Sequence, residues 1–481
     1  MGFENILQFI TGNPLLIIAL VAGFYMAWSI GANDVANAMG TSVGSGALTI
    51  KRAVIVAGLL EFTGAFFVGT HVSNTIRKGI ISPDLFVGHE LDLAYGMIGA
   101  LLAAAIWLQV ASYYGWPVST THSIVGAVLG FGVMYGGMAA ADWAKVGSIV
   151  ASWVISPLMC GTISFLLFSF LRKNIYGSDD PVKSAKQITP YLVFFVFSIL
   201  TLTMVFKGLK NLKLNLGFGE ALLIAAGVGV VASIISRFLV NRIPEVKRED
   251  RITIKQPEIV GKRISKAVKH LDVAAAEATG EIKDQVNMIT NDLKVIEKEV
   301  SQGTIVEQGS TEYRTVQRIF VYLQILSAAF VAFAHGANDV ANAVGPLAAA
   351  ISILRTGAVA AKSTVPLWVL GLGGIGIVIG LATWGWRVMI TIGKKITELT
   401  PTRGFAAEFA AATTIVLASK LGIPVSTTHT LVGGVLGVGL ARGISALNLR
   451  VVTNIVISWV VTIPAGAVGA IFFYFILKAI F

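Results

Sequence analysis

Residues 15–30, 101–110 and 191–205 contain no charged side chain, and runs of the same kind recur along most of the 481-residue chain. A bilayer core about 30 Å thick has no water to satisfy backbone amides. A crossing segment must therefore close its own hydrogen bonds, as a helix of about 20 apolar residues does. Only 13% of residues are charged, against about 25% in soluble proteins, and 55% are hydrophobic. The 51 glycines allow close helix packing in lipid. The expectation is an all-α polytopic membrane protein.

Apolar runs between polar breaks give about 12 transmembrane helices. Seven fall near 13–32, 53–74, 91–114, 118–137, 146–171, 189–206 and 219–240. Five more fall near 319–337, 364–392, 405–422, 425–441 and 451–478. The first residues lack a basic region and carry Glu4, so no cleavable signal is expected and the first helix stays. The lone Cys160 excludes an intrachain disulfide and a multi-cysteine metal site.

A net charge of +11 raises the question of nucleic acid, but its placement answers it. Residues 241–318 hold 14 Lys/Arg and 13 Asp/Glu, and the excess is scattered over short loops, as in membrane proteins that fix their orientation by charge. Within 241–318, apolar residues from Ile264 to Val300 recur by threes and fours. That is an amphipathic helix or coiled coil, interrupted at Gly280. A solvated linker helix is its simplest account. Arg242, Lys247, Arg248, Arg251 and Lys255 follow the seventh helix, and Arg172, Lys173, Lys183 and Lys186 the fifth. Both loops are assigned to the cytoplasm, with both termini external; Lys207, Lys210 and Lys213 run against the rule.

The chain is internally duplicated. GANDVANAMG at 31–40 returns as GANDVANAVG at 336–345, and PVSTTHSIVGAVLGFGV at 117–133 returns as PVSTTHTLVGGVLGVGL at 424–440. SWVISP at 152–157 is echoed by SWVVTIP at 458–464. The offsets are 305, 307 and 306, so a unit of about five helices occurs twice. Residues 1–172 form the first repeat and 319–481 the second, with two connecting helices over 173–240 and a cytoplasmic loop over 241–318. Seven crossings separate equivalent positions. Seven is odd, so the repeats are inverted, which puts broken helices and a binding site near the midplane. Should the STTH segments be re-entrant, the count has to be redone.

Asp34 and Asp339 stand among apolar residues, where a carboxylate costs about 2.5–3.5 kcal/mol and normally faces a cavity with a partner. Gly31 and Gly336 just before them are expected to loosen the helix ends and free carbonyls. Asn33, Asp34, Asn37, Asn338, Asp339 and Asn342 then offer oxygen ligands suited to a hard cation such as sodium. The plainer alternative is polar glue between helices. In PVSTTH, Pro117 and Pro424 end one helix, and Ser119 and Ser426 cap the next. Free N–H groups at such an N-terminus, with the hydroxyls of Ser119, Thr120, Thr121, Ser426, Thr427 and Thr428, make an anion seat, although ordinary capping would look the same. Neither motif holds Lys or Arg, so the anion's charge must be offset by cations, which points to cotransport. His122 and His429 are candidates for proton relay or a structural hydrogen bond. Glu61 and Glu408 are further intramembrane carboxylates.

These doubled GANDVAN and PVSTTH elements resemble the inorganic phosphate transporter (PiT) family of sodium- or proton-coupled symporters. The resemblance covers both membrane halves but not the central loop. It implies a symporter for inorganic phosphate in the plasma (inner) membrane, with sodium or protons as coupling ions and no organic cofactor. Surrounding membrane lipid and the option of a homodimer go with it. The family's aspartates fall on Asp34 and Asp339, its hydroxyl clusters on Ser119–Thr121 and Ser426–Thr428. Its membrane glutamates match Glu61 and Glu408, though Glu61 has no counterpart in the second copy. Rival readings are a permease for sulfate or another oxyanion, a passive channel, and an intramembrane enzyme using His122 with Asp34. Nothing resembles HExxH or a Walker motif.

Overall fold

The structure, a computed structural model, describes residues 12–69, 80–81, 83–207, 217–243, 258–301, 311–359, 365–420 and 425–481. Glu4, Lys210, Lys213, Lys247, Arg248, Arg251, Lys255 and Pro424 lie outside these. Among the described residues, fifteen α-helices follow one another: α1 (Pro14–Gly44), α2 (Ile50–Val68), α3 (Glu90–Tyr114), α4 (Thr120–Gly136), α5 (Trp143–Leu171), α6 (Pro181–Lys207), α7 (Phe218–Asn241), α8 (Glu258–Glu277), α9 (Gly280–Ser301), α10 (Thr311–Thr356), α11 (Leu367–Thr383), α12 (Trp386–Ile390), α13 (Pro401–Lys420), α14 (Thr427–Leu440) and α15 (Leu449–Ile480). The described residues contain no β-strand beyond one isolated bridge, Ile81 with Ala141.

Seven of the helices are long and apolar enough to cross a membrane, or eight if α11 and the segment after it, bent by 55°, count as one span. Twelve spans were expected. The difference lies mainly in the pairs α3–α4 and α13–α14, whose second helices are short. Helices α1 and α10, which carry the two decapeptides, are the most enclosed long helices after α3, while α5, α7 and α15 present exposed side chains such as Leu223, Phe238 and Val460. Apolar faces of that extent are stable only against lipid.

Both decapeptides depart from their expected place. They do not end helices: α1 runs ten residues past Asp34 and α10 seventeen past Asp339, with no carbonyls released at the glycines. The glycines do another job. A methyl on Gly31 would lie 1.9 Å from the Ile377 carbonyl oxygen, and one on Gly336 2.1 Å from that of Glu61. Helix α1 therefore touches α11, and α10 touches α2, backbone to backbone, as small residues permit in membranes.

Each pair α3–α4 and α13–α14 is a hairpin laid along a helix from the other copy. Asp92, at the open end of the first hairpin, accepts from Tyr135 at 3.2 Å and from Tyr474 at 2.8 Å, and pairs with Lys478 at 2.9 Å. Its tip is met by Trp459, whose Nε1 donates to the Pro117 carbonyl at 2.8 Å. Thus α4 runs parallel to α15. The second hairpin repeats the scheme on α5: Ser164 donates to the Gly434 carbonyl at 2.8 Å and Arg172 to that of Ala441 at 3.2 Å.

The central segment forms two helices broken where expected, with Gly280 at φ +60° in the left-handed region that suits glycine. They fold back on each other, Lys294 meeting Asp272 at 2.9 Å.

Candidate functional site

Asp34 and Asp339 come together through a histidine. His335 Nε2 lies 2.8 Å from Asp339 Oδ2 and 3.5 Å from Asp34 Oδ2, while its Nδ1 lies 3.3 Å from Glu61 Oε1. All four side chains are buried. One imidazole thus bridges three carboxylates. Helical geometry explains part of this, since His335 and Asp339 are four residues apart and share a face of α10. The Gly336–Glu61 contact explains the rest by drawing α2 against α10. Among the described residues, ligand atoms of Asp34, His335 and Asp339 lie close enough together to hold one cation.

The hydroxyls meet the same carboxylates. Thr120 donates to Asp34 Oδ2 at 2.7 Å, and Thr428, from the other copy, donates to Asp34 Oδ1 at 3.1 Å. Thr427 donates to Asp339 Oδ2 at 3.3 Å. The asparagines cross between copies. Asn37 Nδ2 donates to Thr428 at 2.8 Å and to Asp34 at 3.1 Å; Asn342 Nδ2 donates to Thr120 and Thr121, both at 3.2 Å. Asn338 donates to its neighbour Asp339 at 2.7 Å. Each motif is therefore completed by the opposite one.

Other expected residues take different places. Asn33 faces the hairpin tip, where its amide donates to Ser112 and the Trp116 carbonyl at 3.0 Å and accepts from the Val118 N–H at 3.2 Å. Ser119 and Ser426 act as caps, accepting from the His122 and His429 amides at 3.2 Å. His122 and His429 point away from the carboxylates into a ring cluster. Their centroids are 4.6 Å apart, with Trp153 4.3 Å from His122 and Trp459 stacked 3.7 Å from His429. Glu408 forms a separate nest that accepts from Thr41, from Ser42 at 3.1 Å and from Ser327. Thr41 lies seven residues beyond Asp34 on α1, so the nest is two turns, about 11 Å, from the main site.

Sequence reasoning missed His335, Thr41, Ser42 and Ser327. His335 carries a readable signal: an ionisable side chain in an apolar run, four residues before Asp339 and one before the duplicated decapeptide. Ile30 stands at the equivalent place in the first copy, so the repeat itself did not mark it.

Residues 30–470, which contain every one of these groups, match the model of the phosphate transporter family. The chain belongs to that family. Its similarity to the inorganic phosphate transporter 2-1, chloroplastic, of Arabidopsis thaliana is 47% identity over 464 residues, covering 96% of this chain and 72% of that one. A candidate phosphate permease of Pyrococcus horikoshii is 43% identical over 462 residues, covering 96% and 97%. A solved structure, the sodium-dependent phosphate transporter, superposes with a TM-score of 0.76 at 37% identity, covering 98% of this chain and all of that one. These phosphate transporter relatives are transporters, not enzymes, which removes the intramembrane hydrolase reading.

Proposed function

We propose that this chain is a secondary symporter carrying inorganic phosphate with sodium, the two ions sharing one site built from both copies. The crossed asparagine contacts carry the reading: Asn37 reaches Thr428, and Asn342 reaches Thr120 and Thr121, so neither motif makes a site alone. Asp34 and Asp339 are the cation ligands, with Asn37, Asn338 and Asn342 beside them; Asn33 serves them by holding the hairpin tip. The α4 and α14 N-termini with Thr120, Thr121, Thr427 and Thr428 are the anion seat, capped by Ser119 and Ser426. Glu61, through His335, and Glu408, in its hydroxyl nest, complete the coupling groups. Sodium is favoured over protons by the solved relative at 37% identity, whose name states sodium dependence.

Coupling follows from counting hydrogens. A hydroxyl has one to give. While Thr120 and Thr428 donate to Asp34, they cannot donate to an anion. A cation on Asp34 takes up its lone pairs and releases those hydrogens toward the oxyanion. Selection for phosphate follows from the same carboxylates: protonated phosphate donates a hydrogen bond to one of them, and sulfate, with no proton, meets an unpaired and repelling acceptor.

The repeats are read as inverted, 1–172 against 319–481, with 173–240 connecting them. Supporting this, α5 begins where α4 and α15 end, whereas α15 begins near the α5 C-terminal end, so these equivalent helices run in opposite directions. The tip of the first hairpin meets α15 at Trp459, its eleventh residue, as a re-entrant element does. The parity argument survives, because a hairpin and two crossings both return the chain to the same side. The cytoplasmic assignment of 241–318 and a place in the plasma membrane rest on loop charge.

The test is uptake of labelled phosphate by proteoliposomes, with sodium and pH gradients imposed separately and sulfate and arsenate as competitors. Accumulation driven by sodium, blocked by arsenate and not by equimolar sulfate, is expected. Accumulation on a pH gradient alone would replace the coupling ion, and strong inhibition by sulfate would replace the substrate.

A further inference from the structure

The third duplicated element, SWVISP and SWVVTIP, has no part in ion ligation. Its position gives it one. The turn between α3 and α4 is non-helical backbone at depth in a membrane bundle, where each unpaired polar group costs several kcal/mol. Trp116, Pro117 and Val118 offer three carbonyls and, because proline lacks one, few amides. Side chains from three other helices satisfy them. Asn33 of α1 holds the Trp116 carbonyl and the Val118 amide, and Thr428 of α14 shares its one hydrogen between Asp34 at 3.1 Å and the Val118 carbonyl at 3.3 Å. The Pro117 carbonyl accepts from Trp459 Nε1 of α15. Two of these three anchors, Asn33 and Thr428, belong to the site already described. The third does not.

Trp459 also bears on the opposite seat. Its ring stacks 3.7 Å from His429, in the first turn of α14, and His429 meets His122, in the first turn of α4, at 4.6 Å. One indole therefore grips the tip before Thr120 and Thr121 through its N–H and backs the turn that carries Thr427 and Thr428 through its face.

We propose that Trp459 is a positioning residue for phosphate, holding the two Ser-Thr-Thr seats in register without touching the ion. This rests on the seats being the anion site. The N–H and the ring face are separable, because Trp459→Phe removes the donor and keeps an aromatic ring for His429. Trp107→Phe is the matched control: Trp107 Nε1 of α3 donates to Thr462 of α15 at 3.0 Å, an indole bond to the same long helix that does not involve the turn.

Two measurements on the full-length protein decide it. In proteoliposomes, Trp459→Phe should raise the phosphate KM about tenfold, the equivalent of one buried hydrogen bond of about 1.4 kcal/mol, with kcat within about twofold. In detergent, hydrogen exchange at 118–121 should quicken by a similar factor, reporting a loosened tip whatever the substrate. Trp107→Phe should change neither. Unchanged exchange, a raised KM without faster exchange, or the same effect in Trp107→Phe would each overturn the proposal, as would loss of folded Trp459→Phe protein. If the wild type accumulates no phosphate on either gradient, the transport reading fails while the exchange result still rules on the anchor.

Discussion

Replacing Gly336 by alanine adds one methyl group and should disable the site from behind. An ideal Cβ there lies 2.1 Å from the Glu61 carbonyl oxygen, 2.5 Å from its Cα and 2.7 Å from its carbonyl carbon. All three are backbone atoms, so no side chain can swing aside. Restoring ordinary contact needs α10 and α2 to part by about 1 Å. Overpacking costs about 1–3 kcal/mol where side chains yield, and the upper end applies to backbone. Alanine returns about 1 kcal/mol of helix propensity, leaving a net loss of about 2 kcal/mol. The separation acts on one contact selectively. His335 stays with Asp339 on its own helix at 2.8 Å, but its 3.3 Å approach to Glu61 is lost. The expected result is a lowered unfolding temperature in detergent and sodium-driven uptake reduced at least about tenfold, the size of an effect near 1.4 kcal/mol. Gly147→Ala is the control: a methyl there meets nothing within 4 Å, so stability should hold or rise by up to about 1 kcal/mol. Wild-type uptake and unfolding temperature in Gly336→Ala would refute the close-approach argument.

Asp34→Asn and Asp339→Asn keep the shape of the site and remove its charge, so each should cut sodium-driven uptake by roughly a hundredfold or more while folded protein is recovered at near wild-type yield; this follows if each carboxylate contributes about 3 kcal/mol to holding the cation. Undiminished uptake in both would sink the ligand assignment. Glu408→Gln leaves partners for Thr41, Ser42 and Ser327 but no charge. It should fold and lose most of its uptake, and a fully active variant would make the nest a structural feature. Replacing 250–310 by a flexible linker should leave uptake intact, because neither duplicated motif enters it and its Lys294–Asp272 ion pair joins α8 to α9. Correct insertion without transport would tie that hairpin to the mechanism.

What the sequence revealed and what it hid have physical causes. Duplication exposed the carboxylates and hydroxyls, because each motif occurs twice in the sequence and the two occurrences meet in the fold. The same logic concealed His335, whose counterpart is Ile30; Glu61, which also lacks a counterpart, was legible only as a lone carboxylate in an apolar run. Hydropathy misplaced the decapeptides at helix ends. Polar Asn and Asp lower a window average, yet inside a bundle they lie on the enclosed face of an unbroken helix such as α10. It also gave α4 and α14 a span each, since composition alone does not show that these apolar helices are only 17 and 14 residues long. Ser42 and Ser327 were invisible for a third reason: they converge on Glu408 from helices almost three hundred residues apart. Single hydroxyls in apolar runs otherwise look like ordinary backbone-bonded serines.

The exchange of hairpins between copies sets an order of events at the ribosome. The Pro117 carbonyl and the Trp459 indole that closes it are 342 residues apart in sequence. At about 5–20 residues per second, roughly 20–70 s separate their synthesis. Through that interval the first hairpin has no α15 to lie against, and its turn carries an unpaired carbonyl. The first hairpin therefore reaches its final seat only after the last helix has been made. Two halves made as separate chains would need each other for the same reason, each finishing the other's burial.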